Sequence, residues 1–460
     1  MEGSRKMPKD FFWGNSVSSM QTEGAWNIDG KGLSVYDVRP ATATTSDWHD
    51  AIDEYHRYDE DLDWLQRLHM NMYRIQVSWS RVIPDGDGEV NQAGLAFYDR
   101  IVDAMLKRGI QPMICLYHFD MPLALAKSEN GFMSRHTVAA FVRFSKLVID
   151  HFADRVKYWI TFNEHNLYFT DEVFNISGYL TGDKTTADMY TIFHHTMLAH
   201  AQISAYLHAT YPAVQIGGMV AATPVYPATA KPNDVLAAQQ INQFLYQNLN
   251  EAFVEGHYDH QVMTYVAEHQ IDYDHQTGDE AILSQMHTDF LAFSYYQTLT
   301  INADLIPAGT VPNDYLNFGG AANRFLSTTD WGWGIDPTGF RTFITDLYNR
   351  YQVPVFPIEN GIGCREVWDG KNPITDDQRI AYHAEHIKAM KDAMFIDGAK
   401  VLGYLGWGLI DIPSSHADIE KRYGVIYVNR SNHDLKDLQR VPKKSYYWLK
   451  SVLEKNGDEL

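Results

Sequence analysis

Residues 353–360 read VPVFPIEN, an almost continuous apolar run that ends in Glu359 and Asn360. Such a run has no wet face, so it reads as a strand covered on both sides, with its carboxylate at the C-terminal end. Seven other runs share this character: 11–19 FFWGNSVSS, 72–79 MYRIQVSW, 112–118 PMICLYH, 158–163 YWITFN, 215–222 QIGGMVAA, 290–296 FLAFSYY and 401–411 VLGYLGWGLID. The stretches between them carry apolar residues at helical spacing. In 49–69, HDAIDEYHRYDEDLDWLQRLH, Ile52, Tyr55, Leu62, Leu65 and Leu68 fall near one face among charges, which predicts a helix packed on the outside of a sheet. Eight doubly buried strands alternating with helices predict an α/β chain folded as a single-domain (β/α)8 TIM barrel. No linker, repeat or charge block divides the chain, so the domain is expected to span 1–460. The segment 307–333, rich in Gly, Asn and Thr, reads as a long loop after the sixth strand.

A parallel barrel builds its pocket from the C-terminal ends of its strands. Gln21, Trp79, His118, Asn163, Glu164, Tyr296, Glu359 and Trp407 all fall at or just past those ends. Glu164 and Glu359 follow strands four and seven, and two carboxyl groups facing each other across a pocket suit glycoside hydrolysis. One acid protonates the leaving oxygen, and in retaining enzymes a carboxylate about 5 Å away attacks the anomeric carbon.

The chain has 460 residues, 58 of them acidic and 38 basic, for a net charge of −20. That field repels polyanions, so nucleic acid is not an expected partner, and a negatively charged small substrate needs a local cationic pocket. The two cysteines, Cys115 and Cys364, suit a reducing cytosol, and no stretch has the length of a secretory leader's core or a membrane span. A cytoplasmic protein with no membrane partner is expected, its oligomeric state left open, a homo-oligomer included. The terminal GDEL is given no weight as a retention signal. His194, His195 and His200 share one helical stretch, but no HExxH spacing occurs and they read as structural, so no metal is assigned. The absence of phosphate-binding glycine motifs adds no nucleotide, and no cofactor is expected.

Seven of the segments together, FFWGNSVSSMQTEGAW, YRIQVSWSR, LYHFDMP, TFNEHN, FLAFSYY, PIENG and GWGLID, resemble the ordered motifs of glycoside hydrolase family one across almost the whole chain. The resemblance implies that Glu164 is the general acid/base and Glu359 the nucleophile. Arg74 and Tyr296 would be the partners that keep Glu359 ionised. It further implies that Gln21, His118 and Asn163 bind sugar hydroxyls over a Trp407 platform; Trp333, Tyr179 and neighbouring loops are candidates to line the aglycone side.

The loop IDIPSSHADIEKRYG, 410–424, carries Ser414 and Ser415 where family members acting on free sugars typically have Glu and Trp. A carboxylate there would repel a 6-phosphate by about 4 kcal/mol per charge pair at 4 Å and an effective dielectric near 20. Ser414, Lys421 and Tyr423 match the phosphate site of the family's 6-phosphoglycosidases, and the small Ser415 resembles the gluco-specific members. The expected substrate is a phosphorylated β-glucoside. The alternatives are a β-glucosidase, a 6-phospho-β-galactosidase, and a catalytically silent sugar-binding barrel. Three positions depart from the family pattern: His165 for Pro, Ser294 for Asn and Phe132 for Trp. The first two put aglycone preference in doubt.

Overall fold

A computed structural model describes residues 6–460 of the chain. The eight apolar runs become eight parallel strands: β1 (Phe12–Ser16), β2 (Met72–Gln76), β3 (Gln111–Tyr117), β4 (Tyr158–Phe162), β5 (Gln215–Ala222), β6 (Phe290–Tyr295), β7 (Val355–Asn360) and β8 (Gly403–Trp407). They pair in chain order, and β1 closes on β8 with Phe12 opposite Gly403 and Ser16 opposite Trp407. At Gly14 a Cβ would lie 2.2 Å from the Met72 carbonyl, so only glycine lets β1 sit this close to β2.

The helices ring the barrel: α1 (Glu54–Arg67), α2 (Gln92–Lys107), α3 (Arg135–Phe152), α4 (Thr186–Thr210), α5 (Pro232–Asn242), α6 (Pro337–Tyr351), α7 (Asp377–Phe395) and α8 (Lys444–Glu454). Their starts follow capping chemistry. Asn91 and Ser134 accept from backbone N–H groups of α2 and α3, and Thr185 with Asp188 forms a reciprocal capping box on α4. Ile52, Tyr55, Leu62, Leu65 and Leu68 are all buried, as expected, although Ile52 precedes α1 because Asp53 is left-handed at φ 57°. Among the described residues no helix is long and apolar enough to cross a membrane. The N-terminal reading also takes in residues 1–5, which lie outside the described residues.

Met72, Met113, Ile160, Met219, Phe290, Phe356 and Leu405 fill the barrel interior as a closed floor. The barrel is therefore a packed core, and its polar chemistry is confined to the mouth above that floor. Segment 307–333 is a long loop after β6 that carries short helical turns at Pro312–Asp314 and Tyr315–Gly319, and Thr328 bridges to Gly334 at its end. One expectation needs correction. Trp79 is fully buried outside the mouth, donating to the Gly86 carbonyl at 2.9 Å and packing on Tyr117, Phe132, Phe141 and Phe144. Phe132 belongs to the same aromatic cluster, so its departure from Trp is a matter of core packing.

Candidate active site

Arg74, inward-facing on β2, lies directly above the apolar floor with no exposed surface. Its guanidinium donates to Glu359 Oε1 from one nitrogen and to Asn163 Oδ1 at 2.7 Å from the other, tying the ends of β7 and β4 together. Tyr296, just past β6, donates its hydroxyl to Glu359 Oε2 at 3.0 Å. Glu359 reaches this position through an irregularity in the sheet. Phe293 pairs with Pro357 while the next residue, Ser294, pairs with Glu359, so Ile358 is an extra residue in β7. The bulge breaks the strand's alternation: Phe356 and Ile358 face the floor, and Glu359 turns inward directly after them.

Glu164 follows β4 in the left-handed conformation, φ 45°, a costly backbone for a non-glycine residue and one that recurs at functional sites. Its carboxyl accepts a hydrogen bond from the Ser294 hydroxyl. Ser294 therefore contacts Glu164 through its side chain while standing opposite Glu359 in the β6–β7 register.

The two carboxyls are electrostatically unequal. Burial first, and then the charge of Glu359, pushes Glu164 up to about 8, against smaller pulls downward from Ser294 and Arg74. Burial also raises Glu359, but there the Arg74 cation and the Tyr296 hydroxyl act directly on the carboxylate and oppose it. Glu359 thus ionises first, and at neutral pH Glu164 keeps its proton.

Around this pair, His118 stacks on Trp407 with ring centroids 5.7 Å apart, and its buried Nδ1 has no partner among the described residues. Burial and then Arg74 hold its pKa well below the usual histidine value, so the ring is neutral. Trp407 closes β8 and is 6% exposed, and Gln21 donates to the Pro413 carbonyl at 2.8 Å, bracing the residue next to Ser414.

The second polar cluster lies on the loop after β8. Ser414 Oγ accepts weakly from the backbone N–H groups of His416 and Asp418, both at 3.3 Å, which leaves its own hydrogen uncommitted among the described residues. Lys421 is 7% exposed. Its ammonium sits 3.5 Å from the centre of the Trp333 ring and 5.2 Å from that of Trp331, with no carboxylate or carbonyl partner among the described residues. Burial lowers it to about 8, with the charge of Asp418 acting weakly the other way. Gly363 gives its stem room, because a Cβ there would come within 2.8 Å of Lys421 Cε. Tyr423 is buried, with its ring 5.5 Å from the Lys421 ammonium and 6.2 Å from Tyr296, so the two clusters are contiguous. Trp333 lies 5.8 Å from Tyr296 and links them as well.

Two of the residues named from the sequence stand apart. Ser415 is exposed, and its hydroxyl meets His416 Nδ1 at 3.2 Å. Tyr179 commits its hydroxyl to Asp188 and Lys184 near the start of α4. His165, next to Glu164, is buried and bonded to Thr196 at 2.9 Å. His194, His195 and His200 bond to Tyr258 and Asp279, to Phe132 and Asp274, and to Thr161 respectively. Sequence reasoning missed Trp331 as a neighbour of Lys421. The only signal was the pair of Trp residues in TDWGWG, 329–334.

A profile of glycosyl hydrolase family 1 matches residues 3–458. An aryl-phospho-β-D-glucosidase of Bacillus subtilis (strain 168) is 38% identical, with 99% of each chain covered. A phospho-cellobiase of Klebsiella oxytoca is 35% identical, also with 99% of each covered. Among solved structures, a β-glucosidase from Thermotoga maritima in complex with glucoimidazole superposes with a TM-score of 0.87 at 28% identity, covering 98% of this chain and all of that one. Profile, relatives and barrel agree: the chain belongs to glycosyl hydrolase family 1.

Proposed function

We propose that the protein hydrolyses 6-phospho-β-D-glucosides with retention of configuration, releasing glucose 6-phosphate and an aglycone, and that residues 1–460 act as one catalytic domain. The observation that carries the phosphate assignment is Lys421, a nearly buried cation with no anionic partner in contact among the described residues, its ammonium 5.5 Å from the Tyr423 ring, on the same loop as Ser414, whose hydroxyl hydrogen is uncommitted. An unpaired buried charge is costly, and a phosphate dianion offers it the acceptors that the protein withholds. The names of the two bacterial relatives, a phospho-glucosidase and a phospho-cellobiase, support the same reading.

In the first step Glu164 gives its proton to the glycosidic oxygen while Glu359 attacks the anomeric carbon. The carbon–oxygen bond to the aglycone breaks and a glycosyl ester forms on Glu359. Esterification removes the Glu359 charge, which is the second cause of Glu164's raised pKa. Glu164 therefore becomes the more easily ionised form needed next, taking a proton from the water that displaces Glu359. Ser294 links the two carboxyls: its hydroxyl bonds Glu164 while its backbone stands opposite Glu359 in the β6–β7 register, so both face one mouth. His118, Asn163 and Gln21 offer hydrogen bonds to sugar hydroxyls, and Trp407 offers an apolar face.

A 2-deoxy-2-fluoro-β-glucoside 6-phosphate with a good leaving group tests this directly, because it stalls after the first step. Mass spectrometry is expected to find the fluoro-sugar phosphate on the peptide containing Glu359, with the unphosphorylated analogue labelling far more slowly. Label on another residue refutes the nucleophile, and equal labelling by both analogues refutes the phosphate site.

A further inference from the structure

At the opposite end of the barrel from the active site, three side chains from separate parts of the chain converge. His208 lies in the last turn of α4, and His287 and Asp289 lie on the segment that enters β6. One donor atom from each lies within 4.8 Å of the others. His208 Nε2 is already 2.9 Å from Asp289 Oδ2, and the two imidazole centroids are 5.1 Å apart. Donors bound to one zinc ion at about 2.0–2.1 Å in a tetrahedron are about 3.3 Å from one another, so binding asks this set to contract only modestly from its present spacing.

The backbone holding the donors is fixed independently of them. Ser204, one turn before His208 on α4, donates its hydroxyl to the His287 carbonyl at 2.5 Å and accepts from the His287 N–H at 3.3 Å. Thr288 turns its hydroxyl the other way, onto the Phe290 carbonyl at 2.7 Å and the Gly218 N–H at 3.1 Å, and so leaves its neighbours to face α4. The Asp289 N–H donates to the Ile216 carbonyl at 2.9 Å, while Asp289 Oδ2 accepts from the Ile216 N–H at 2.8 Å. Burial raises the Asp289 carboxyl, but His208, the Ile216 amide and His287 together hold it below its ordinary pKa. His287 is exposed, and no hydrogen bond to its ring is formed among the described residues, so the site is open to solvent.

We propose that His208, His287 and Asp289 form a binding site for a divalent transition-metal ion, zinc by preference. Two imidazole nitrogens and one carboxylate oxygen match that ion's chemistry, with water completing the tetrahedron. The ion takes the place of the proton between His208 Nε2 and Asp289. It clips the end of α4 to the entry of β5 and β6, on the barrel face where side chains serve stability rather than catalysis. The proposal is independent of the chemistry at the barrel mouth.

The test is calorimetric titration of the untagged full chain, stripped with chelator, with Zn²⁺ alone, together with the visible spectrum of its Co²⁺ form and thermal unfolding with and without Zn²⁺. Wild type is expected to bind one ion, to give a tetrahedral Co²⁺ spectrum, and to unfold at a higher temperature with Zn²⁺. His287→Ala removes a ring that makes no hydrogen bond, and is expected to weaken binding by at least the about tenfold that losing even an outer-sphere partner costs, and to abolish the thermal shift. Asp289→Asn keeps an oxygen for the Ile216 amide and should behave likewise, guarding against a folding defect in either variant. An unchanged titration in both variants, or no stoichiometric binding by wild type, overturns the proposal.

Discussion

Ser294→Ala isolates what the residue replacing the family's usual Asn does for the acid. Glu164 stands at about 8, and the Ser294 hydroxyl is the first of the contacts that pull it down, by donating to the carboxylate. A hydrogen bond to a charged group contributes about 1.5–3 kcal/mol, which at 1.36 kcal/mol per unit is about one to two pH units. With the hydroxyl gone, the ionised form loses that stabilisation and the proton is held to higher pH. The basic limb of the rate profile should therefore move upward by about one to two units, while the acidic limb, set by Glu359 with Arg74 and Tyr296, stays in place. The readout is kcat at saturating 6-phospho-glucoside with an aglycone that needs protonation. The ratio kcat/KM would mix in Lys421, which also titrates near 8 in the free enzyme but is held charged by bound phosphate. A basic limb that stays put, or moves to lower pH, contradicts the assignment of Glu164 as the acid.

Lys421→Met should lower kcat/KM on a 6-phospho-β-glucoside by about tenfold to about a hundredfold, and on the unphosphorylated sugar by no more than about threefold, as measured with matched chromogenic substrates. Glu359→Gln should abolish the rapid first release of aglycone in stopped-flow traces, leaving at most about a thousandth of the rate. Glu164→Gln should stabilise the fold in a pH-dependent way. The folded acid holds its proton up to about 8 against an ordinary 4.5, so the wild-type protein loses stability as pH rises through that window and the variant does not. Because the partly buried carboxyl opens onto the mouth, the expected gap in urea denaturation is about 2–3 kcal/mol at pH 8 and near zero at pH 4.5.

The barrel was legible because its strands are covered on both faces, so each shows as an unbroken apolar run, and a polar residue at the end of such a run can only be at the mouth or the floor. Glu164 and Glu359 were visible for that reason, but the devices that aim them were not. The extra Ile358 in β7 depends on how β7 pairs with Ser294, a contact between strands about sixty residues apart that leaves no local pattern. The left-handed turn at Glu164 likewise falls on a residue with no glycine-like signature. Trp79 misled because a strand-end aromatic can turn outward into the helix layer as easily as inward. The caging of Lys421 by Trp331 and Trp333 brings the loop after β6 against the loop after β8, and spacing along the chain does not encode that meeting.

The central claim is that Lys421, Ser414 and Tyr423 reserve the Glu164–Glu359 pair for sugars carrying a 6-phosphate. Its most direct test is the ratio of kcat/KM for p-nitrophenyl-β-D-glucoside 6-phosphate to that for p-nitrophenyl-β-D-glucoside, measured on the same preparation of wild-type protein. The account predicts a ratio of about a hundred or more, from a charge-assisted contact of about 1.5–3 kcal/mol and further hydroxyl contacts of about 1 kcal/mol each. A ratio near one, or a preference for the unphosphorylated glucoside, would contradict it.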